Sequence, residues 1–333
     1  MEYLWLIFGF VLLIVGADIF VEGSSAIAKR FKIPTIIIGL TVVALGTSLP
    51  EASVSISAAL SGNNDIAISN VLGSNIFNLL VVLGSSALIL PVRVHSVSIK
   101  KEIPFSIFLT ILLGTILAFG ISFDAEADML MGMEIFSHAS FTLGVAGGAI
   151  LLVFLALYMY WQISGALKAR KKGKIEEEPE DENKKIPAFM AVEMIVLGVV
   201  GIIMGGNFVV DNASIIAENF GMSQTLIGLT IVAVGTSLPE LVTSMVAARK
   251  GESDLALGNV IGSNVFNIVF ILGASAVVSP MTVDILAIYD TLVLLLVSVL
   301  ALIFAKTNKR FSRPEGAVLI AIYAIYFVYV LLR

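Results

Sequence analysis

Ten separate apolar runs, each close to the roughly 20 residues that a helix needs to cross a bilayer, occupy most of this 333-residue chain. They cover 3–22, 34–60, 66–90, 103–121, 142–163, 187–206, 224–248, 254–279, 284–305 and 314–332. In hydrocarbon every backbone N–H and C=O must be paired inside its own segment, so runs of this length read as helices. The composition agrees: 58% of residues are hydrophobic and 14% charged, far below the roughly 25% charged of a soluble domain. A formal charge of -5 leaves no broad basic surface for nucleic acid. With no cysteine, thiolate metal sites and cysteine nucleophiles are excluded. Met1-Glu2-Tyr3 carries no positive charge ahead of the first run, which is therefore expected to remain as a transmembrane helix rather than a cleaved signal.

The basic residues orient this array, because cytoplasmic loops retain Lys and Arg. All of the 20 except Arg333 follow odd-numbered runs: Lys29, Arg30 and Lys32; Arg93, Lys100 and Lys101; the central group from Lys168 to Lys185; Arg249 and Lys250; and Lys306 to Arg313. Both termini are thus expected outside and the central loop in the cytoplasm. That loop, 164–186, is a basic block followed by an acidic one around Pro179, and reads as a solvated linker. Five helices on either side make the two halves antiparallel.

The halves are also copies. With a constant shift of 189 residues, 39–84 matches 228–273 at 26 of 46 positions. The expected architecture is an all-α membrane protein of ten transmembrane helices, built as two inverted-topology five-helix repeats, 1–163 and 187–333. Inverted repeats place a substrate site at their interface near mid-membrane and serve alternating access. A transporter is expected rather than an enzyme.

Each copy places one carboxylate, Glu51 or Glu240, inside a long apolar run, where an ionised group costs about 2.5–3.5 kcal/mol on insertion scales. No Lys, Arg or His of the motif runs stands near either in sequence, so the compensating charge is expected to be a bound cation. Pro50 and Pro239 precede the two glutamates and disturb the carbonyls four residues back. Thr47 and Ser48, with Thr236 and Ser237, add hydroxyls. The next run supplies Asn70, Ser74 and Asn78 on one i,i+4 stripe, mirrored by Asn259, Ser263 and Asn267. Carboxylates, amides, hydroxyls and carbonyls together suit hard cations such as Ca2+ and Na+.

At these residues the chain resembles the sodium/calcium exchangers of the Ca2+/cation antiporter superfamily, in their prokaryotic form. The two GTSLPE runs, 46–51 and 235–240, and the two GSN-x-FN runs, 73–78 and 262–267, are similar to that family's α-repeats. The resemblance implies exchange of several Na+ for one Ca2+ in the cell membrane, with Glu51 and Glu240 as shared ligands. It also implies oxygen ligands from Thr47, Ser48, Ser74 and Asn78, from Thr236, Ser237, Ser263 and Asn267, and from the carbonyls of Ala44 and Ala233. Helices 1 and 6 would slide past a fixed core. K+-dependent relatives, and some prokaryotic members of the family, carry Asp where Asn267 stands, so with an amide here K+-independent exchange is expected. Two carboxylates balance one Ca2+, and more than two Na+ would carry net charge across the membrane field. The bilayer and the two ions are the only partners expected, and no cofactor.

Plainer roles compete at several positions. Buried carboxylates can remain protonated, and small hydroxyl residues often hold membrane helices together. Asn70 and Asn259 read better as interhelical hydrogen-bonders than as ligands. Gly39, Gly46 and Gly73, with Gly228, Gly235 and Gly262, read as packing positions. Asp18, Glu22, Glu193, Asp284 and Asp290 are expected near helix ends in interfacial water, and Asp124, Glu126, Asp128 and Glu134 in a solvated outer loop. The same two glutamates could instead exchange protons for Ca2+. A serine hydrolase built on Ser48 or Ser237 lacks an activating His or Lys, and a passive channel would not need duplicated antiparallel halves.

Overall fold

The computed structural model describes residues 1–123, 139–171, 186–222 and 228–332. Most of the acidic outer loop and of the central linker therefore lies outside the described residues. Among the described residues, eight helices are long and apolar enough to cross a membrane, and a bent pair makes a ninth span. They are α1 (Glu2–Phe31), the pair α2 (Thr35–Thr47) and α3 (Leu49–Leu60), α4 (Asn64–Ile89), α5 (Ser98–Phe119), α6 (Val145–Arg170) and α7 (Ala188–Asn219). The stretch expected as span 224–248 is described from Gly228, as a π-helical turn (Gly228–Val232), α8 (Ala233–Gly235) and α9 (Leu238–Arg249). Then follow α10 (Ser253–Val278), α11 (Ile285–Asn308) and α12 (Arg313–Leu332).

α4 and α10 form the centre: 72% and 83% of their apolar windows are buried, against 11% for α12. Their sequences explain this, since the two GSN-x-FN runs carry small and amide side chains that only a protein interior can satisfy. α1 and α7 pack along one another at backbone distance. A Cβ on Gly198 would stand 2.7 Å from the Phe20 nitrogen, and one on Gly205 would stand 2.5 Å from the Leu13 nitrogen. Gly9 and Gly16 meet the same helix from α1, so the seam is the small-residue contact that lets membrane helices approach closely.

Three features depart from the sequence reading. α1 continues to Phe31 and α7 to Asn219 rather than ending near 22 and 206. Asp18 and Glu22 consequently lie within α1 rather than at its end, half exposed and facing Lys250. Asp290 is also not interfacial: it is buried in α11 and accepts the Tyr326 hydroxyl at 3.1 Å. The connections contain short strands that no pattern in the sequence announces. β1 (Val92–Arg93) pairs antiparallel with β5 (Arg310–Phe311), and β3 (Ala139–Leu143) pairs antiparallel with both β2 (Ile121–Phe123) and β4 (Met281–Val283). Each sheet ties a connection of the first half to one of the second.

Candidate cation site

The chain breaks where the two GTSLPE runs lie. α2 and α3 are bent by 50° about Ser48, whose φ of -84° and ψ of 7° leave the helical region. Ser237 does the same at φ -93° and ψ 5°. Pro50 and Pro239 fall in the first turn of the new helices, where a missing N–H costs no intrahelical bond. The break therefore comes between Thr47 and Glu51, which do not share one continuous helix as their i,i+4 spacing suggests. It places Glu51 and Glu240 in the first turns of α3 and α9, at the positive ends of two half-helices. Both are fully buried.

Each carboxylate is served by the other repeat. Ser48 donates to Glu240 Oε1 at 2.9 Å, and Ser237 lies 3.1 Å from Glu51 Oε1 and 3.0 Å from Ser74 Oγ. Ser263 stands 3.4 Å from Glu240 Oε1. The second oxygens, Glu51 Oε2 and Glu240 Oε2, are buried without a hydrogen-bond partner.

The amides of α4 and α10 close the site from the other side. Asn75 Nδ2 donates to the Asn264 carbonyl and Asn264 Nδ2 to the Asn75 carbonyl, both at 3.2 Å. Those two bonds fix which way the side chains point, so their Oδ1 atoms must be acceptors. Asn264 Oδ1 receives Asn78 Nδ2 at 3.2 Å, and Asn75 Oδ1 receives Asn267 Nδ2 at 3.0 Å. With the donors held outward, Asn78 Oδ1 and Asn267 Oδ1 are left buried and without a partner. Each of these residues opens a π-helical turn, Asn78–Val82 and Asn267–Leu272, the wide-turn geometry often found at functional sites.

Two carboxylate and two amide oxygens, one of each from each half, are thus buried without a hydrogen-bond partner. Leaving ionised carboxylates buried and uncompensated costs several kcal/mol per ion, of order ~20 in the idealised limit. Among the described residues no group of three or more Asp, Glu, His or Cys is placed to hold a metal ion by itself. The arrangement is one that a hard cation would complete.

Of the residues expected at the site, Glu51, Glu240, Ser48, Ser237, Ser74, Ser263, Asn78 and Asn267 belong to this network. Thr47 lies at its edge, its hydroxyl 3.0 Å from Asn259 Oδ1 and within 3.3 Å of the Val43 and Ala44 carbonyls. Thr236 mirrors it, 3.4 Å from Asn70 Oδ1. The Ala44 carbonyl accepts the Ser48 N–H at 3.1 Å as well as the Thr47 hydroxyl at 3.3 Å. Ala233 opens α8 at the matching place in the chain. Asn70 and Asn259 act as expected, each donating to the hydroxyl of Ser55 or Ser244 at 2.9 Å. Asn75 and Asn264 went unassigned in the sequence reading. Their signal was present, since both GSN-x-FN runs contain them three residues before the site asparagine.

The two flanks of the site are covered unequally. α1 covers the Leu238, Val242 and Val246 face of α9 with Leu13, Ala17, Phe20 and Val21. The matching face of α3, Leu49, Ser53 and Ser57, is exposed, and α7 does not pack along it. Ile66 is 54% exposed while its counterpart Leu255 is 1% exposed. A Cβ on Gly262 would stand 2.6 Å from the Ala44 Cβ, whereas among the described residues nothing lies within 4 Å of one on Gly73. Gly73 is therefore not the packing position its motif suggests.

Similarity to known proteins agrees with the geometry. The sequence profile described as sodium/calcium exchanger protein matches residues 1–164 and 190–332. The chain belongs to the sodium/calcium exchanger family. CaxA of Alkalimonas amylolytica is 38% identical over 327 residues, covering 97% of this chain and 96% of the relative. The sodium/calcium exchanger MaX1 of Methanosarcina acetivorans is 32% identical, with 98% and 97% covered. Among solved structures, the sodium-calcium exchanger NCX_Mj, soaked with Na+ and Sr2+, superposes with a TM-score of 0.80 at 30% identity over 98% of this chain and 97% of that one. Family and fold are those of membrane antiporters rather than enzymes, and this exchanger is an all-helical, multi-pass membrane protein of that type.

Proposed function

We propose that this protein exchanges several Na+ for one Ca2+ across the cell membrane by alternating access, electrogenically and without K+. The observation that carries this reading is the set of four buried, partnerless oxygens, Glu51 Oε2, Glu240 Oε2, Asn78 Oδ1 and Asn267 Oδ1. In it the ligands are these four residues together with Ser48, Thr47, Ser74, Ser237, Thr236 and Ser263 and the carbonyls of Ala44 and Ala233. Two carboxylates neutralise one Ca2+, and a larger number of Na+ leaves net charge to move in the membrane potential. K+ independence is supported at Asn267: its Nδ2 donates to Asn75 Oδ1, a role that an ionised Asp cannot fill.

In this reading ten helices form two inverted five-helix repeats, 1–163 and 187–333, joined by the linker 164–186. Both termini lie outside and the linker lies in the cytoplasm. The sheet pairs support that count. β1 follows the third expected helix and β5 the ninth, and their pairing requires an even number of crossings between them.

The test is labelled Ca2+ uptake into Na+-loaded proteoliposomes, K+ omitted, comparing wild type with Glu51→Gln. Uptake is expected to need the outward Na+ gradient and to vanish in the variant. Uptake that follows a pH difference and ignores Na+ would replace this reading with proton-coupled exchange.

A further inference from the structure

The 189-residue shift that relates the motif runs continues without a gap back through α1 and α7, pairing Gly9 with Gly198, Gly16 with Gly205 and Glu22 with Asp211. It therefore allows the covered flank of the site to be compared residue by residue with the open one. On the covered flank, Lys250 caps the end of α9. Its ammonium lies 2.9 Å from Asp18 Oδ1 and 3.5 Å from Glu22 Oε2, and donates to the Asp18 carbonyl at 3.1 Å. Two residues on, Glu252 Oε1 accepts the Ser25 hydroxyl at 2.7 Å. α1, packed on α7 along the glycine seam, is thus tied to the end of α9 and the turn after it by four polar contacts beside an apolar face.

The open flank cannot make this closure. The counterpart of Lys250 is Ser61, that of Glu252 is Asn63, and those of Asp18 and Glu22 are Asn207 and Asp211. A neutral serine offers no charge to Asp211, and both Asn207 and Asp211 are exposed on α7. The apolar layer differs in the same sense, Val242 and Val246 answering to Ser53 and Ser57.

We propose that Lys250 is a tethered cation that latches α1 onto α9 and so holds the unloaded exchanger with its site closed toward the cytoplasm and open outside. This rests on the orientation and alternating access argued above. For the site to open inward, the ammonium must leave Asp18 and Glu22, and among the described residues no comparable tie stands on the other flank. The lysine is about one-third exposed and the carboxylates half exposed, and ion pairs so wetted are individually weak. The latch therefore biases the two states by a few-fold rather than locking one of them.

Because the chain contains no cysteine, single cysteines report each flank directly. Ser57→Cys on the open face and Val246→Cys on the covered face would be labelled in proteoliposomes, without transported ions, using a charged maleimide. Lys250→Gln is expected to slow labelling at position 57 severalfold and speed it at 246, Lys250→Glu to do so more strongly, and Asp18→Asn with Glu22→Gln to reproduce Lys250→Gln from the other side of the latch. The swap of Asp18→Lys with Lys250→Asp should restore the wild-type rates. Unchanged labelling at both positions in Lys250→Gln and Lys250→Glu would overturn the proposal. So would a shift in the lysine variants that the carboxylate variants do not share. Absence of Na+-driven Ca2+ uptake in wild type would instead overturn the function proposed above, since the labelling rates do not depend on which ion is carried.

Discussion

The two copies of the motif are nearly interchangeable at the ion cage and unlike on their flanks. Glu51 and Glu240, Ser48 and Ser237, Asn75 and Asn264, and Asn78 and Asn267 repeat one another atom for atom, down to reciprocal hydrogen bonds across the centre. Along the helices that carry the two glutamates, Val242 and Val246 lie under α1 while Ser53 and Ser57 stand exposed. The difference separates two jobs. Under the alternating access proposed above, a site that serves both faces keeps its symmetry, whereas its two flanks are free to differ and so to set which one rests open.

The largest test of the symmetric half of this comparison is Glu51→Gln against Glu240→Gln. Each removes one of two charges from a buried pair and is expected to abolish Na+-driven Ca2+ uptake in proteoliposomes to the same degree. A variant that retained half of the wild-type rate would show that the carboxylates are unequal. Next come Asn75→Ala and Asn264→Ala, which delete the acceptors that turn Asn267 and Asn78 toward the cage. Loss of a buried hydrogen-bond partner costs about 1–3 kcal/mol, so Ca2+ affinity measured calorimetrically should fall about tenfold or more in both, and equally.

The asymmetric half is sharpened by the glycines. Gly262→Ala drives a methyl into Ala44 and should lower stability by about 1–3 kcal/mol, as overpacking does, visible as a lower melting temperature in detergent. Gly73→Ala should change it by less than about 0.5 kcal/mol. The smallest effect belongs to Val246→Ser and Ser57→Val, which exchange the chemistry of the two flanks. Both should reduce the outward-open population and raise the external Ca2+ concentration for half-maximal uptake by about two- to fivefold. A change in opposite directions would break the comparison.

Much of the site was readable from the sequence because its signal is local and doubled. Carboxylates, amides and hydroxyls stand out against an apolar background, and their recurrence at a fixed shift marks them as a set. Asn75 and Asn264 escaped because their part is to orient neighbours across the repeat interface, which no spacing within one copy expresses. The π-helical turns at Gly39–Val43 and Asn78–Val82 left no trace either. A helix apolar on every side has no polar face whose drift would reveal an extra residue per turn. The full length of α1 was hidden for the opposite reason: Asp18 and Glu22 look like a hydrophobic run coming to its end, and the lysine that answers them lies more than two hundred residues away.

The crossed hydrogen bonds between Ser48 and Glu240 and between Ser237 and Glu51 also bear on how the protein is made. During synthesis the first half enters the bilayer with its glutamate already in place but with neither the hydroxyl nor the amide that orients its surroundings, because those come from the strand of messenger still unread. The crossed bonds form only when the second half packs against the first, so on the proposed reading a complete oxygen set reports that both halves are in place.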